Sequence, residues 1–554
     1  MKTITFYSYK GGVGRTLALS NIATRLAEFG KTVCMIDFDL EAPGIPYKFK
    51  KQLKSLEFET GLVDYLQHYV KYRQAPPNVK DFMTTVKEGT ANQKEITLLP
   101  AGNIYSKDYW VKLSSIGWDK FFYEKDSTGV EFFFDLKEKI KNEIQPDYLL
   151  IDSRTGITEI AGITLSLLAD EVVLLSVNNE ENLEGTQQVL RTILQNNNPV
   201  LGTPPKIHFV MSRMPQKKEG QTESPSYKII QKVKYRLNQF LTEKELDYQI
   251  DKVLTIHSEP ELQIEESLKI AYDDEDRPSA IGMDYLRLFR ALTDGDLTEE
   301  EKVLFKRKRE YEKLKAEIFS EGKDRSERVV LLEEALSKYR DLDEWFILSY
   351  LSLAYYDVGD WENAEVYLKQ SMEINPYDYI TRFYLANTYS IQKNFNQALE
   401  IYEKLYSELF DLNYTNLLMD DVTVNMGLAY LRTGQTDKSL NLFKKVVEEF
   451  KPSFENYNIY ASVLMQVGNY QEALNYVYLA LELAPKEFMP NATLAEIQAH
   501  LGNDMEFYRN INMALSLGLK WEQIKKEPIY KKYLKEQRFI EMLARYDIYP
   551  EEEI

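Results

Sequence analysis

The chain holds one cysteine, Cys34, in 554 residues. No disulfide can form within one chain, so an oxidising compartment is not implied. Histidine is scarce too. His68, His208, His257 and His500 are scattered without ligand-like spacing, which leaves a zinc site without support. No apolar run approaches the ~20 residues needed to cross a bilayer. The first residues, Met1-Lys2-Thr3-Ile4-Thr5-Phe6-Tyr7, lack the long apolar segment of a secretory signal, so the cytoplasm is the expected location, with no membrane partner. Positive charge is in deficit: 68 Lys and Arg stand against 87 Asp and Glu, a formal net charge of −19. That balance argues against a protein that grips nucleic acid by its phosphates, while leaving room for a local basic patch.

What is present is order along the chain. Up to about residue 295, short β-branched or apolar runs alternate with longer helical stretches. The spacing predicts strands at 3–7, 32–37, 96–99, 148–152, 172–177 and 207–212. Near-continuous apolar strands separated by helices predict βαβ units and a doubly wound, mostly parallel sheet. Residues 299–319 are charged and free of Gly and Pro, which reads as a linker helix or as a solvated flank of the first domain.

The rest of the chain repeats. Gly434, Gly468 and Gly502 lie 34 residues apart, as do Gly427, Ala461 and Ala495, and Tyr355 and Tyr389. A period of 34 is that of tetratricopeptide repeats, each a helix–turn–helix. Gly359, Gly434 and Gly468 stand where a first helix ends, and Ala364, Ala398 and Ala473 let the second helix pack close. Pro376 and Pro485 stop the second helix. The expected organisation is an α/β domain over 1–295, a linker helix and possible degenerate repeat over 296–344, an all-α repeat solenoid over 345–521, and capping helices with an acidic tail over 522–554. A slip of seven residues in the register implies an insertion near 412–419.

The sharpest local signal is Lys10-Gly11-Gly12-Val13-Gly14-Arg15-Thr16, between the first strand and an amphipathic helix ended by Gly30. A Gly-rich loop that opens a helix aims backbone N–H groups at anionic oxygens. The standard phosphate-loop pattern is not met, because Tyr9 takes its first Gly position and Arg15 its Lys position. The loop instead resembles the deviant phosphate loop of ParA/MinD-like ATPases. Two further stretches support this: Met35-Ile36-Asp37-Phe38-Asp39 after the second strand, and the apolar strand 148–152 ending in Asp152. The run from Asp37 to Gly44, with Asp152-Ser153-Arg154-Thr155-Gly156, is similar to the branch of that family marked by KGGVGR.

The resemblance implies ATP and Mg²⁺ as ligands. Lys10 through Thr16, with Leu17, would cradle the phosphates. Lys10 would also reach the partner's phosphates across an ATP-dependent homodimer. Thr16 would ligate the metal, and Asp152 would hold it through water. Asp39 would polarise the attacking water, with Asp37 as second candidate; capping of the strand end is the competing reading of both. Ser212, Arg213 and Pro260 match the places where relatives contact the base.

Arginine keeps the charge of the usual lysine but is planar and forked, so Arg15 implies slow hydrolysis and a switch rather than a fast enzyme. The first reading is therefore an ATPase switch whose repeats bind a protein partner through an apolar or aromatic segment. Phe383, Tyr384 and Asn387 are expected on the inner face. Branch members with appended repeats imply bacterial signalling or antiviral defence. A non-catalytic nucleotide-binding scaffold is the alternative, and ParA-like partitioning or positioning a second one.

Overall fold

Apolar strand runs bounded by helices build a layered α/β unit here, and the 34-residue period builds helix pairs. The computed structural model describes residues 1–550 except 87–94, 124–127, 196–203, 217–224, 264–267, 271–278, 412–416 and 450–452. Most of the expected insertion and the tail at 551–554 lie outside the described residues. The chain forms two compact units, Met1–Glu310 and Tyr311–Ile554.

In the first unit the strands are β1 (Lys2–Ser8), β2 (Val33–Asp37), β3 (Thr84–Val86), β4 (Ile96–Leu99), β5 (Tyr148–Asp152), β6 (Glu171–Ser176), β7 (Lys206–Met214) and β8 (Val253–His257). They form one sheet in the order β3-β4-β2-β5-β1-β6-β7-β8. All neighbouring pairs are parallel except β3 with β4. From β1 the chain first fills one side of the sheet and later the other. The carboxyl end of β1 is thus the switch point where such sheets bind ligands.

Helices cover both faces. α1 (Arg15–Glu28) and the helix Ala280–Leu292 bury Leu19, Ile22, Tyr285 and Phe289 on one face. On the other, Leu62–Tyr72 and Gly129–Glu143 pack over one half, Glu180–Gln195 and Pro225–Glu243 over the other. β5 and β6 are buried along their whole length, as their apolar runs predict.

Two strands were not expected. β3 is a three-residue antiparallel edge, too short to show a period. β8 alternates buried Leu254 and Ile256 with half-buried neighbours, the pattern of an edge strand, and it ends on His257.

The second unit contains the helix pairs the period implies: Tyr379–Ile391 with Phe395–Asp411, Leu417–Arg432 with Thr436–Glu449, Phe454–Gln466 with Tyr470–Leu483, and Phe488–His500 with Asp504–Ser516. Ahead of them Trp361–Ile374 packs on the end of Arg325–Val358, a helix interrupted by non-helical backbone at Tyr339 and Asp343. Gly359, Gly434 and Gly468 have φ of 82°, 77° and 84°, the left-handed backbone that ends a helix cheaply in glycine. A Cβ on Gly427 would stand 2.7 Å from the Phe443 ring, so the pair meets there because residue 427 has no side chain. Short helices at Trp521–Ile524, Tyr530–Tyr533 and Gln537–Ala544 cover Phe507, Ile511 and Ala514 of the last pair, with Phe507 and Tyr533 stacked at 3.7 Å.

Phe383 differs from expectation. It is buried in the core of its repeat with Leu385 and Tyr402 rather than lying on an open inner face. Tyr384 and Asn387 are half-buried. Asn387 lines a cavity of about 240 Å³ with Tyr356, Tyr402, Asn425, Leu428 and Arg432.

Candidate functional site

β1 delivers the chain to the sheet's carboxyl edge, where residues 9–14 turn into α1. Gly12 and Gly14 hold φ of 72° and 84°, which side-chain-bearing residues rarely adopt, and Gly14 caps α1. Val13 and Leu17 are buried beneath the loop. Gly11 and Gly12 are exposed. Tyr9 packs against Gly185, where a Cβ would lie 2.2 Å from the ring. Lys10, next in sequence, is exposed, and its Nζ pairs with Glu181 at 2.6 Å on the same helix. The loop therefore leans on Glu180–Gln195 through two consecutive side chains.

The acids come from adjacent strand ends. Asp37 and Asp152 are register partners on β2 and β5. Asp37 is fully buried. Its Oδ2 accepts the N–H groups of Gly44 at 3.0 Å and Ile45 at 3.1 Å, and its Oδ1 that of Asp39 at 3.2 Å. This carboxyl ties down the turn after β2. Burial, then the charge of Asp152, pushes its pKa well above the carboxylate range. Gly44 is thereby set against Thr16: a Cβ on it would lie 3.2 Å from the Thr16 Cγ2 and 3.3 Å from Oγ1. Asp39 keeps some exposure, with 14% of its side chain accessible. Arg154 pairs with Glu41 at 2.7 Å, linking the segment after β5 to the one after β2.

Arg15 does not point away from these acids. Its Nε donates to Asp152 Oδ1 and its Nη2 to Asp39 Oδ2, the latter at 2.8 Å. Burial works against the guanidinium's charge, yet Asp152 and Asp39 outweigh it and hold the group well above its ordinary pKa. Thr16 Oγ1 donates to the second oxygen of Asp152 at 2.6 Å. Burial raises the Asp152 pKa, opposed chiefly by the Arg15 charge. Thr16 and Asp152 are thus brought together, and each oxygen of Asp152 already accepts one hydrogen bond. With Arg15 in this position a magnesium ion at that carboxylate would meet its positive charge. Among the described residues no group of three or more His, Cys, Asp or Glu side chains is placed to hold a metal.

The far flank comes from β7 and β8. β7 slips register between Met211 and Met214, and Arg213 there has φ of 53°. Such an irregularity re-aims a side chain. A Cβ on Gly12 would lie 3.5 Å from the Arg213 Nη2, so this guanidinium stands at the glycine loop. Ser212 is turned inward, its hydroxyl 3.4 Å from the Ser176 carbonyl oxygen. Ser258 N–H donates to the Met214 carbonyl at 2.8 Å, which places the loop carrying exposed Pro260 beside the same strand end. The sequence reading missed Glu181 and Gly185, which steady Tyr9 and Lys10. Their signal was the unusual Tyr at the loop's first glycine position.

Residues 1–200 match the family model described as AAA domain, and residues 391–478 match that of anaphase-promoting complex, cyclosome, subunit 3. No curated protein matches the chain. Among solved structures, the MinD cell division protein of Aquifex aeolicus is similar at 19% identity and a TM-score of 0.34, over 53% of this chain and 97% of that one. The ParA family ATPase from Chlorobium tepidum TLS is 15% identical with a TM-score of 0.34, over 52% of this chain and 98% of that one. The structure titled MamA MSR-1 C2 is 20% identical with a TM-score of 0.26, over 32% of this chain and 97% of that one. Among the described residues no helix is long and apolar enough to cross a membrane. Over residues 1–200 the chain is thus similar to an AAA domain, and a region of paired helices follows in the second unit.

Proposed function

We propose that the first unit binds ATP on the loop from Lys10 to Thr16 and acts as a slowly hydrolysing, dimerising switch, and that the repeats bind a protein partner. The observation that carries this reading is the loop itself. Its two left-handed glycines open α1 between three strand-end acids on one side and Arg213 on the other. Within it, Asp39 is the better candidate than Asp37 to orient an attacking water, because Asp37 is buried and committed to the turn at Gly44 and Ile45. Lys10 would serve a partner subunit after leaving Glu181. Magnesium would be held at Thr16 and Asp152 only after Arg15 leaves Asp152. Ser212 and Pro260 would border the base, while Arg213 meets the phosphates.

The half-buried Tyr384 and the cavity at Asn387 and Asn425 support a peptide ligand with polar as well as apolar groups. The KGGVGR resemblance supports a bacterial signalling or antiviral setting, and the net charge of −19 counts against a role on nucleic acid.

Calorimetric titration of the full chain with ATP, followed by sedimentation with and without ATP, tests this. Binding together with an ATP-dependent dimer supports it, and absence of heat at any nucleotide concentration removes it. A second reading, a scaffold that binds nucleotide without turning it over, is favoured by the commitment of Arg15 to both Asp152 and Asp39. Single-turnover measurement of phosphate release separates the two.

A further inference from the structure

Position 15 opens α1, and the side chain there starts at the rim of the loop. Instead of running along the loop, Arg15 folds down between two carboxylates from different strand ends. Its side chain is 7% exposed. Nε and Nη2 are spent on Asp152 and Asp39. Nη1 is buried and has no hydrogen-bond acceptor among the described residues. A buried donor without an acceptor is costly, and a guanidinium N–H suits an anionic oxygen.

We infer that Arg15 is a built-in cation bridging Asp152 and Asp39, so that this loop takes ATP without needing a divalent ion, with Nη1 as the donor left for a phosphate oxygen. The chemistry of the fork supports this. A planar guanidinium bridges two carboxylates through separate nitrogens in a fixed fork, whereas an ammonium carries its three N–H groups on a single nitrogen. While the bridge stands, a dication brought to Asp152 meets a fixed positive charge, and each oxygen of that carboxylate already accepts a hydrogen bond. Thr16 donates its hydroxyl proton to the same carboxylate. Arg213, beside Gly12 and without an ion pair among the described residues, adds a second cation from the other side. Two guanidinium groups thus supply the charge that a lysine and a metal would otherwise supply.

The inference rests on the reading that the loop binds ATP, and the test separates the two. The full chain and its Arg15→Lys variant are each titrated calorimetrically with ATP, once in excess EDTA and once in excess MgCl₂. The expected result is a wild-type affinity that changes less than about threefold between buffers, and a variant that binds more than about tenfold tighter with magnesium. A wild type that gains as much from magnesium as the variant overturns the inference and leaves the proposed function standing. No binding by either protein in either buffer overturns both. If Arg15→Lys does not fold, the wild type decides alone: its Tm rise with ATP must persist in EDTA, and a rise that requires MgCl₂ overturns the inference.

Discussion

Tyr9 and Gly185 are in contact so close that a single methyl group at 185 would stand 2.2 Å from the ring. The loop's most unusual residue is therefore matched by an absence on the facing helix. Gly185→Ala should force Tyr9 out of its seat, at a cost of about 1–3 kcal/mol typical of overpacking. Urea unfolding measures the loss. The double variant with Tyr9→Ala should recover most of it, and two costs that simply add would show that the contact is not the cause.

Gly44 stands against Thr16 in the same way, though less tightly. Gly44→Ala has no forbidden backbone to adopt, so the folded state should lose less than about 1 kcal/mol, as at ordinary surface positions. Nucleotide affinity is expected to fall by about tenfold, a shift of about 1.4 kcal/mol, because Thr16 is pushed toward Asp152. Unchanged affinity by calorimetry would mean that the turn after β2 yields freely.

Asp284 is 1% exposed and joins the helix Ala280–Leu292 to the end of β8. Its Oδ2 accepts the His257 N–H at 2.8 Å and lies 2.6 Å from His257 Nδ1, and its Oδ1 accepts from Arg287 at 3.2 Å. Asp284→Ala leaves a backbone donor and a ring nitrogen without this acceptor, for a predicted loss of about 2–4 kcal/mol. Hydrogen exchange should then show the His257 amide opening faster than that of Leu254. Equal, slow exchange at both amides is the result that this account cannot accommodate.

Glu496 gives the repeats a pH dependence. Burial, then the charge of Glu527, pushes its carboxyl up to about 7, while the hydrogen bond from the Tyr530 hydroxyl at 2.9 Å opposes this. An unfolded glutamate titrates near ~4.3. Between these values the folded chain holds a proton that the unfolded chain releases, so stability from this group is full below ~4.3 and falls as pH rises to 7. Wild type should lose on the order of 2 kcal/mol relative to Glu496→Gln across that window. Parallel unfolding curves for the two proteins at both ends of it would contradict the shift.

Much of the architecture could be read in advance because its causes are local. The spacing of Gly434, Gly468 and Gly502 marks a helix end that needs left-handed backbone, and each has positive φ. Continuous apolar runs such as 148–152 mark strands buried on both faces. What stayed hidden depends on neighbours distant in sequence. β3 and β8 are edges with few or alternating apolar residues. The direction taken by Arg15 is decided by Asp152, 137 residues away, and no spacing within the loop encodes it. The same holds for the Arg213 guanidinium, aimed by an irregularity in β7, and for Phe383, drawn into the core by the helix that follows it.

Cys34 sits on β2 between Thr97 of β4 and Leu149 of β5, wholly buried, and burial pushes its thiol up to about 12. A thiol so protonated and enclosed does not react while the sheet is closed. The chain's single sulfhydryl is therefore a clock for the heart of the first unit. The rate at which an alkylating reagent modifies it in native buffer counts the moments when β2 parts from its neighbours, and any thiol engineered onto the surface would be the sole fast-labelling position on the molecule.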